Sequence, residues 1–592
     1  MNQDEIAKAM LGMAEALRTQ DPPKLKMAIK CARGALKLNI SEEMTAVVNY
    51  QFGKLLFFYT DNCEMAKTHL QAAYDKMSAM GTFYMRDKMH TLSMIADLHI
   101  HYQLWPILNI KNSLKHEIST TRGYPLLTYK LMFQLIELFK IDKDAKGAFE
   151  ICQAAIEHCH DNPRMELYFR ITRTLVAYKL LREEPDNAEM TKIGAMIKAL
   201  EEIPSEKAHV GCIKDFYVLT KLSHMFYEGK SRTSRQLLRQ IQRPHTTSDG
   251  NISGIRWLGD MSMTIFACVM NIVGAFVQSN SDRVEKYFYL AIKHTDEILL
   301  RSTRTPQEPG VVRCMSMIKM TTLEMMAAVN VMACRPQKML GNVRDMLEMT
   351  HRSSGPFLYR YFAPHIQYIL GLQCCYLRQN EAAEKHFKSA ITMFEKHCLN
   401  PENSIAFLNL NLAITYLNQL KMAEYYDVAE CLTPTKISGC SQMLKNNIKF
   451  LHVVYSFLTN KTNENKNLVM EVLADAKAED FFRLHGLALA FMSLTMPVDD
   501  TGVQPTIIWS KKSHDHFLSM WSNNLYERLL RNAGHQESSE MVQNAMHEQI
   551  VSQKAMSLEV LLPMVANMPT AKLLQWFEGD PYKLLPRDEA TI

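Results

Sequence analysis

At 592 residues, 47% of them apolar, the chain is long enough for several domains or for one continuous array with an extended core. Its 22 Gly and 21 Pro fall well below the roughly 70 that average usage would give, while its 40 Met accompany abundant Leu, Ala and Lys, all good helix formers. A formal net charge of +5 is small for this size, so charge alone neither excludes nor requires nucleic acid or acidic proteins as partners.

Long alternating Val/Ile/Thr runs are missing, and almost no sheet is expected. The 13 Cys are scattered, odd in number and without a C-x-x-C pair. The opening Met1-Asn2-Gln3-Asp4-Glu5 lacks the basic and apolar regions of a signal peptide. The thiols therefore read as reduced, in a nuclear or cytosolic protein, and the sequon Asn460-Lys461-Thr462 is expected to stay unglycosylated.

In chain order, residues 9–18 form a short amphipathic helix, and Asp21-Pro22-Pro23 reads as an N-cap followed by proline in the next first turn. Ala66-x-x-x-Leu70-x-x-Ala73 follows Gly53, and Ala148-x-x-x-Cys152-x-x-Ala155 follows an apolar helix at 131–139. Residues 261–281 carry no charge over 21 positions, long enough to cross a bilayer. That stretch holds Ser262, Thr264, Asn271 and Gln278, and it runs into Val284-x-x-x-Phe288-x-x-Ala291, so it reads as a buried helix of a hairpin. The sharpest set comes next: Ala383, Phe387 and Ala390 follow Gly371 at offsets of 12, 16 and 19. Leu412-Ala413-x-x-Tyr416 then repeats the first-helix half of the pattern.

This small-x-x-x-large-x-x-small pattern after a glycine is the skeleton of a tetratricopeptide (TPR) helix hairpin. Gly53 and Gly371 lie where two antiparallel helices cross; Ala66, Ala73, Ala148, Ala155, Ala291, Ala383 and Ala390 face the first helix, and Phe387 fills the space between. Such a hairpin cannot bury its apolar face alone and must stack with others. The expected fold is all-α, a TPR-like helical-repeat superhelix or α-solenoid. One array is expected over 1–578, sharpest at 44–79, 131–160, 261–295, 362–395 and 405–432, with a frayed tail at 579–592. Ala148 to Val284 spans 136 residues, four periods of 34, and Val284 to Ala383 spans 99, close to three. Breaks between hairpins are expected at 244–255, 303–310, 352–356, 460–467 and 496–506, which are rich in Pro, Gly, Ser, Thr and Asn.

Candidate chemistry is sparse. Gly229-Lys230-Ser231 resembles the end of a phosphate loop, but His224 stands where the loop needs its first glycine. His158-Cys159-His160, His99-x-His101 and His514-x-His516 place neighbouring ligands in different directions on a helix, which does not close a zinc site. Cys374-Cys375 reads as core. No nucleophile elbow or His-Glu-x-x-His occurs. No catalytic, cofactor-binding or metal residues are assigned, and no small-molecule substrate or membrane is expected. Arg232, Arg235, Arg239 and Arg243 would form one basic stripe on a helix, either a solvated face or a contact for an acidic protein segment or DNA phosphate. In a TPR frame first helices build the inner wall. Its candidate partner-binding residues are Tyr50, Lys54, Phe57 and Phe58 around Gly53, and Tyr368, Leu372 and Tyr376 around Gly371.

Two segments carry a specific resemblance. Leu11-Gly12-Met13-Ala14-Glu15, Arg18-Thr19 and Pro22-Pro23-Lys24 resemble the opening of the Mau-type chromatid cohesion factors. Phe52-Gly53-Lys54-Leu55-Leu56 through Thr60, Asn62, Ala66, His69-Leu70 and Ala73 is similar to that family's next hairpin. Weaker similarity continues through 284–291, the Gly371 repeat, Leu412-Ala413-x-x-Tyr416 and Trp521-Ser522, whereas 177–244 and the C-terminal end diverge. The resemblance implies a non-enzymatic TPR subunit of the cohesin-loading complex. It would pair with a large HEAT-repeat Nipped-B-type protein, enclose that partner's extended N-terminal segment, reach the cohesin ring indirectly and chromatin through the complex. It also implies a nuclear location, with room for a cytoplasmic pool, and a groove carried mainly by the N-terminal two-thirds. The alternative is a helical-repeat scaffold subunit of another assembly, of ubiquitin-ligase or proteasome-lid type. A TPR-bearing enzyme would need a separate catalytic domain that the repeat-like sequence leaves little room for.

Overall fold

The computed structural model describes residues 2–555 apart from 61, 103, 105, 122, 182–186, 205, 242–259, 303–308, 353–355, 398–400, 460–461, 496–502 and 533. Arg243, the 244–255 break, Asn460, Lys461 and the tail 579–592 lie outside the described residues. Within them there are 26 α-helices, a five-residue π-helical stretch at Ala177–Leu181, and no strand. The helices pair into antiparallel hairpins: α1 (Gln3–Thr19) with α2 (Leu25–Ala35), α3 (Glu42–Tyr59) with α4 (Cys63–Ala79), α5 (Met85–Tyr102) with α6 (Leu108–Thr120), and α7 (Pro125–Ile141) with α8 (Ala145–His158). Next come α9 (Pro163–Val176) with α10 (Asn187–Glu201), α11 (Lys207–Tyr227) with α12 (Ser231–Ile241), α13 (Asp260–Val277) with α14 (Ser281–Ser302), and α15 (Pro309–Met332) with α16 (Pro336–Arg352). The series closes with α17 (Pro356–Tyr376) and α18 (Asn380–His397), α19 (Glu402–Gln419) and α20 (Met422–Glu430), α21 (Gln442–Leu458) and α22 (Thr462–Ala478), α23 (Phe482–Thr495) and α24 (Val503–Ser513), and α25 (His516–Asn532) and α26 (Gln536–Ala555).

Local chemistry starts and stops these helices. Ser41, Asn62, Asp144 and Asn162 accept hydrogen bonds from the backbone N–H three residues on, at 2.8–3.3 Å, and so satisfy first-turn donors that have no intrahelical partner. First helices end on a recurring device: Lys143, Ser279, Cys334, Arg378 and Leu420 adopt left-handed backbone with φ between 49° and 60°. The following N–H then reaches back to the carbonyl five residues earlier, as Gln379 does to Cys374 and Lys421 to Tyr416, at 2.8 and 3.0 Å. This turn reverses the chain tightly enough for the second helix to pack on the first. At the N-terminus α1 runs well beyond the expected 9–18. Asp21 is not an N-cap, because α2 begins only at Leu25 with Lys24 before it.

The hairpin contacts use glycine as a socket. A methyl group at Gly371 would stand 2.5 Å from the Phe387 ring, and one at Gly53 would stand 2.8 Å from Leu70 Cγ, so these crossings fit only a residue without Cβ. Phe387 and Leu70 are fully buried, as are the flanking Ala383, Ala390, Ala66 and Ala73. Ala148 and Ala155 are likewise fully buried, and Ala291 nearly so. The uncharged 261–281 stretch falls on α13 and the turn after it, and α13 is apolar around most of its circumference because it packs between α11, α12, α14 and α15. No helix among the described residues is long and apolar enough to cross a membrane.

The repeat length departs from the expected 34. Ala148 on α8 and Val284 on α14 are three hairpin steps apart, and Val284 and Ala383 on α18 are two, about 45 and 50 residues per step. The cause is helix length together with one long connector: α11, α14 and α15 have 21, 22 and 24 residues, and 18 residues separate α12 from α13.

Most first helices touch the next first helix, whereas second helices meet the first helices before and after them, so first helices line the concave side of a solenoid. Contacts over great sequence distance then measure the superhelix. Tyr227 donates to the Gly439 carbonyl, Arg235 pairs with Asp480 at 2.6 Å, Ser281 donates to the Ser513 carbonyl at 2.7 Å, and Arg313 donates to the Ile100 carbonyl at 2.6 Å. Arg313 and Ile100 lie on hairpins five steps apart, Ser281 meets the end of α24, also five steps on, and Tyr227 and Arg235 reach the connectors before α21 and before α23. Contacts about five hairpins apart thus bring successive turns of the array against one another.

Candidate partner-binding channel

The channel wall is the exposed edge of the first helices. On α17 the partly exposed residues Tyr361, His365, Tyr368, Leu372 and Tyr376 recur at helical spacing along one face. Tyr368 donates to Glu324 Oε1 on α15 at 2.8 Å, and its ring meets Phe407 of α19 edge-on at 5.7 Å. Burial and the Glu324 carboxylate hold the Tyr368 phenol well above its ordinary pKa, so it is a neutral donor. Leu372 is half-buried against the core. The Tyr376 hydroxyl lies 3.5 Å from Arg483 Nη2 on α23, three hairpins further on.

On α3, Tyr50 is half-buried with its phenol pushed up to about 12, chiefly by burial. The exposed Lys54 ammonium lies 5.9 Å over the Tyr50 ring. Phe58 is partly buried and meets Phe57 edge-on at 4.9 Å. Phe57 itself, expected on the wall, is turned into the core at 8% exposure. A first helix packs against its own second helix and against first helices on both sides, which leaves only a narrow strip exposed.

The basic stripe splits by environment. The Arg232 backbone N–H donates to Glu479 at 3.2 Å and Arg235 pairs with Asp480, both across the seam between turns. Arg235 and Arg239 join Arg283, Lys286 and Tyr287 of α14 around a cavity of about 280 Å³ on the molecular surface. Elsewhere the ligand-like sequences are structural. Gly229 is a left-handed turn residue (φ 73°), and Cys374 is fully buried. Cys159 is fully buried with its thiol pushed up to about 12 by desolvation. No group of three or more metal-ligating side chains gathers among the described residues.

Sequence reasoning named Tyr368, Leu372 and Tyr376 but missed Tyr361, His365 and Glu324. Tyr361 continues the same stripe seven residues before Tyr368, and His365 seven before Leu372. Glu324 has no local signal, because its place on the wall comes from the neighbouring hairpin.

A closed superhelix with an aromatic inner wall defines a helical-repeat binding scaffold. The sequence comparisons make this particular. The model of the cohesin loading factor family matches residues 7–567. The chain is 65% identical to maternal uncoordinated protein 2 of Caenorhabditis elegans over the whole of both chains. It is 22% identical to the MAU2 chromatid cohesion factor homolog of Drosophila grimshawi, covering 98% of this chain and 93% of that one. This chain belongs to the cohesin loading factor family, whose members are scaffold proteins rather than enzymes and whose function is chromatin-associated. Among solved structures it is similar in fold to Scc4 in complex with Scc2n and Ctf19n, with a TM-score of 0.56 at 9% identity, covering 93% of this chain and 97% of that one. Scc4 in complex with Scc2n gives a TM-score of 0.53 at 8% identity over 93% and 98%.

Proposed function

We propose that the channel encloses the extended N-terminal segment of a large HEAT-repeat partner of Nipped-B type. The pair would then help to load the cohesin ring onto chromatin, in support of sister-chromatid cohesion and chromosome segregation. The observation that carries this reading is the aromatic channel wall, closed by turn-to-turn contacts, in a chain of the cohesin loading factor family. The Scc4 structures that share the fold contain Scc2n, which supports the choice of partner. An extended segment costs free energy to order, and a wall that follows it over several hairpins offsets that cost by burying a large area.

In this reading Tyr50, Lys54, Phe58, Tyr368, Leu372 and Tyr376 contact the segment and Phe57 supports them from behind. The cohesin ring is reached through the partner, and the working site is the nucleus, with a cytoplasmic pool. The cavity beside Arg235 and Arg239 adds a salt-dependent contact to an acidic protein segment or to DNA phosphate. The repeats act as one array through 1–578, and the first two hairpins are part of the groove. Co-expression with the partner's N-terminal few hundred residues, followed by size-exclusion chromatography, tests the reading. A one-to-one complex that survives high salt supports it, and two folded chains that elute apart contradict it. Binding that persists after deletion of residues 1–80 would remove the N-terminal hairpins from the groove.

A further inference from the structure

The channel wall formed by α15, α17 and α19 is aromatic, methionine-bearing and nearly uncharged. Its exposed strip runs through Met317 and Thr321 on α15, the tyrosine stripe on α17, and Phe407, Asn411 and Ile414 on α19. One carboxylate stands on it. Glu324 Oε1 accepts the Tyr368 hydroxyl at 2.8 Å and lies 2.9 Å from His365 Nδ1. No Lys or Arg among the described residues pairs with this carboxylate. The Tyr361 ring, 40% exposed, stacks on His365 at 5.9 Å and 13° and extends the aromatic surface beside it.

The same stripe shows, at its other end, what such a surface holds. Arg483 reaches the Tyr376 hydroxyl at 3.5 Å while its Nε pairs with Asp515 Oδ2 at 2.5 Å. That guanidinium, carboxylate and tyrosine group comes entirely from this chain. At the Glu324 end the carboxylate and the tyrosines are present and the guanidinium is not.

We propose that Glu324 is the counter-charge for an arginine of the enclosed segment, whose guanidinium lies against Tyr361 and Tyr368. The proposal rests on the reading of the channel given above and adds the chemistry the segment must present. Arginine suits the place better than lysine: its planar fork matches a carboxylate, it stacks on aromatic faces, and it is less strongly hydrated than an ammonium. A carboxylate on an apolar wall gains most from a partner that excludes water around it, so the pair would anchor the register of an otherwise apolar extended segment.

The test uses the full chain and the partner's N-terminal segment, with the dissociation constant measured from 0.1 to 0.5 M salt. Glu324→Gln keeps the shape and the Tyr368 bond while it removes the charge, and circular dichroism and thermal unfolding check that the variant is folded. Binding about tenfold weaker, with a shallower salt dependence, is expected. In parallel each arginine of the segment is changed to glutamine against the wild-type chain. One of them should lose about tenfold, and its loss should not add to that of Glu324→Gln. Glu324→Arg paired with that arginine changed to glutamate should recover binding. Unchanged affinity for folded Glu324→Gln, or no sensitive arginine, overturns the proposal while wild-type binding leaves the channel reading standing. No binding of the wild-type chain overturns both.

Discussion

Replacing Gly371 with alanine puts the hairpin packing to a quantitative test. The added methyl group would stand 2.5 Å from Phe387 Cε1 and 2.8 Å from Cδ1. Phe387 cannot swing aside, because it is fully buried between Ala383 and Ala390, both also fully buried. Overpacking of this kind costs about 1–3 kcal/mol. Alanine in a helix interior returns about 1 kcal/mol relative to glycine, so the net loss is about 0–2 kcal/mol. In a solenoid the loss stays near the altered interface and is read locally, by hydrogen exchange of the α17 and α18 amides. At about 1.4 kcal/mol per factor of ten, exchange there should quicken severalfold, by up to about thirtyfold. Gly12→Ala is the control: nothing lies within 4 Å of its Cβ position, so the helix should gain about 0.5–1 kcal/mol. Phe387→Leu added to Gly371→Ala should restore part of the protection. If Gly371→Ala slows exchange as Gly12→Ala does, the socket has been misread.

Three further outcomes are expected. Burial and the neighbouring Arg313 depress the His101 pKa from 6.5 to about 3, so below pH 6.5 the unfolded chain takes up a proton that the fold refuses. Stability from this site is complete above pH 6.5 and falls by about 2 kcal/mol at pH 5, and His101→Gln should be less acid-sensitive than wild type by that amount in pH-dependent thermal unfolding. Arg483→Met leaves the fully buried Asp515 carboxylate without its counter-charge and should cost about 3–5 kcal/mol, read as faster hydrogen exchange across α23 and α25; an unchanged rate would contradict the pairing. Burial raises the thiols of Cys152 and Cys374 to about 12, so iodoacetamide at pH 8 should modify exposed Cys431 first and those two only on unfolding, as read by peptide mass spectrometry.

The sequence made the hairpin legible because its packing is local. Gly371 and Phe387, or Gly53 and Leu70, lie within 17 residues of each other, and a fixed spacing serves both the crossing and the core. The repeat length was not legible in the same way, since helices of 21–24 residues and the 18-residue connector between α12 and α13 keep the anchor residues but stretch the period past 34. Some turns also hide their signal: Arg378 and Leu420 take the left-handed position that glycine usually marks. The superhelical turn rests on pairs such as Arg235 with Asp480, 245 residues apart, which no local pattern announces. Part of the wall could be read from the spacing of Tyr368, Leu372 and Tyr376. Glu324 joins it only through stacking of neighbouring hairpins, and Phe57 leaves it for the same reason.

Hydrogen exchange on the purified complex with the partner's N-terminal segment tests the central claim most directly. Slower exchange on binding should concentrate in the first helices, α3 and α17 among them, with little change in the second helices on the convex side. Protection confined to the second helices, with the first helices unchanged, would contradict a segment enclosed in the channel.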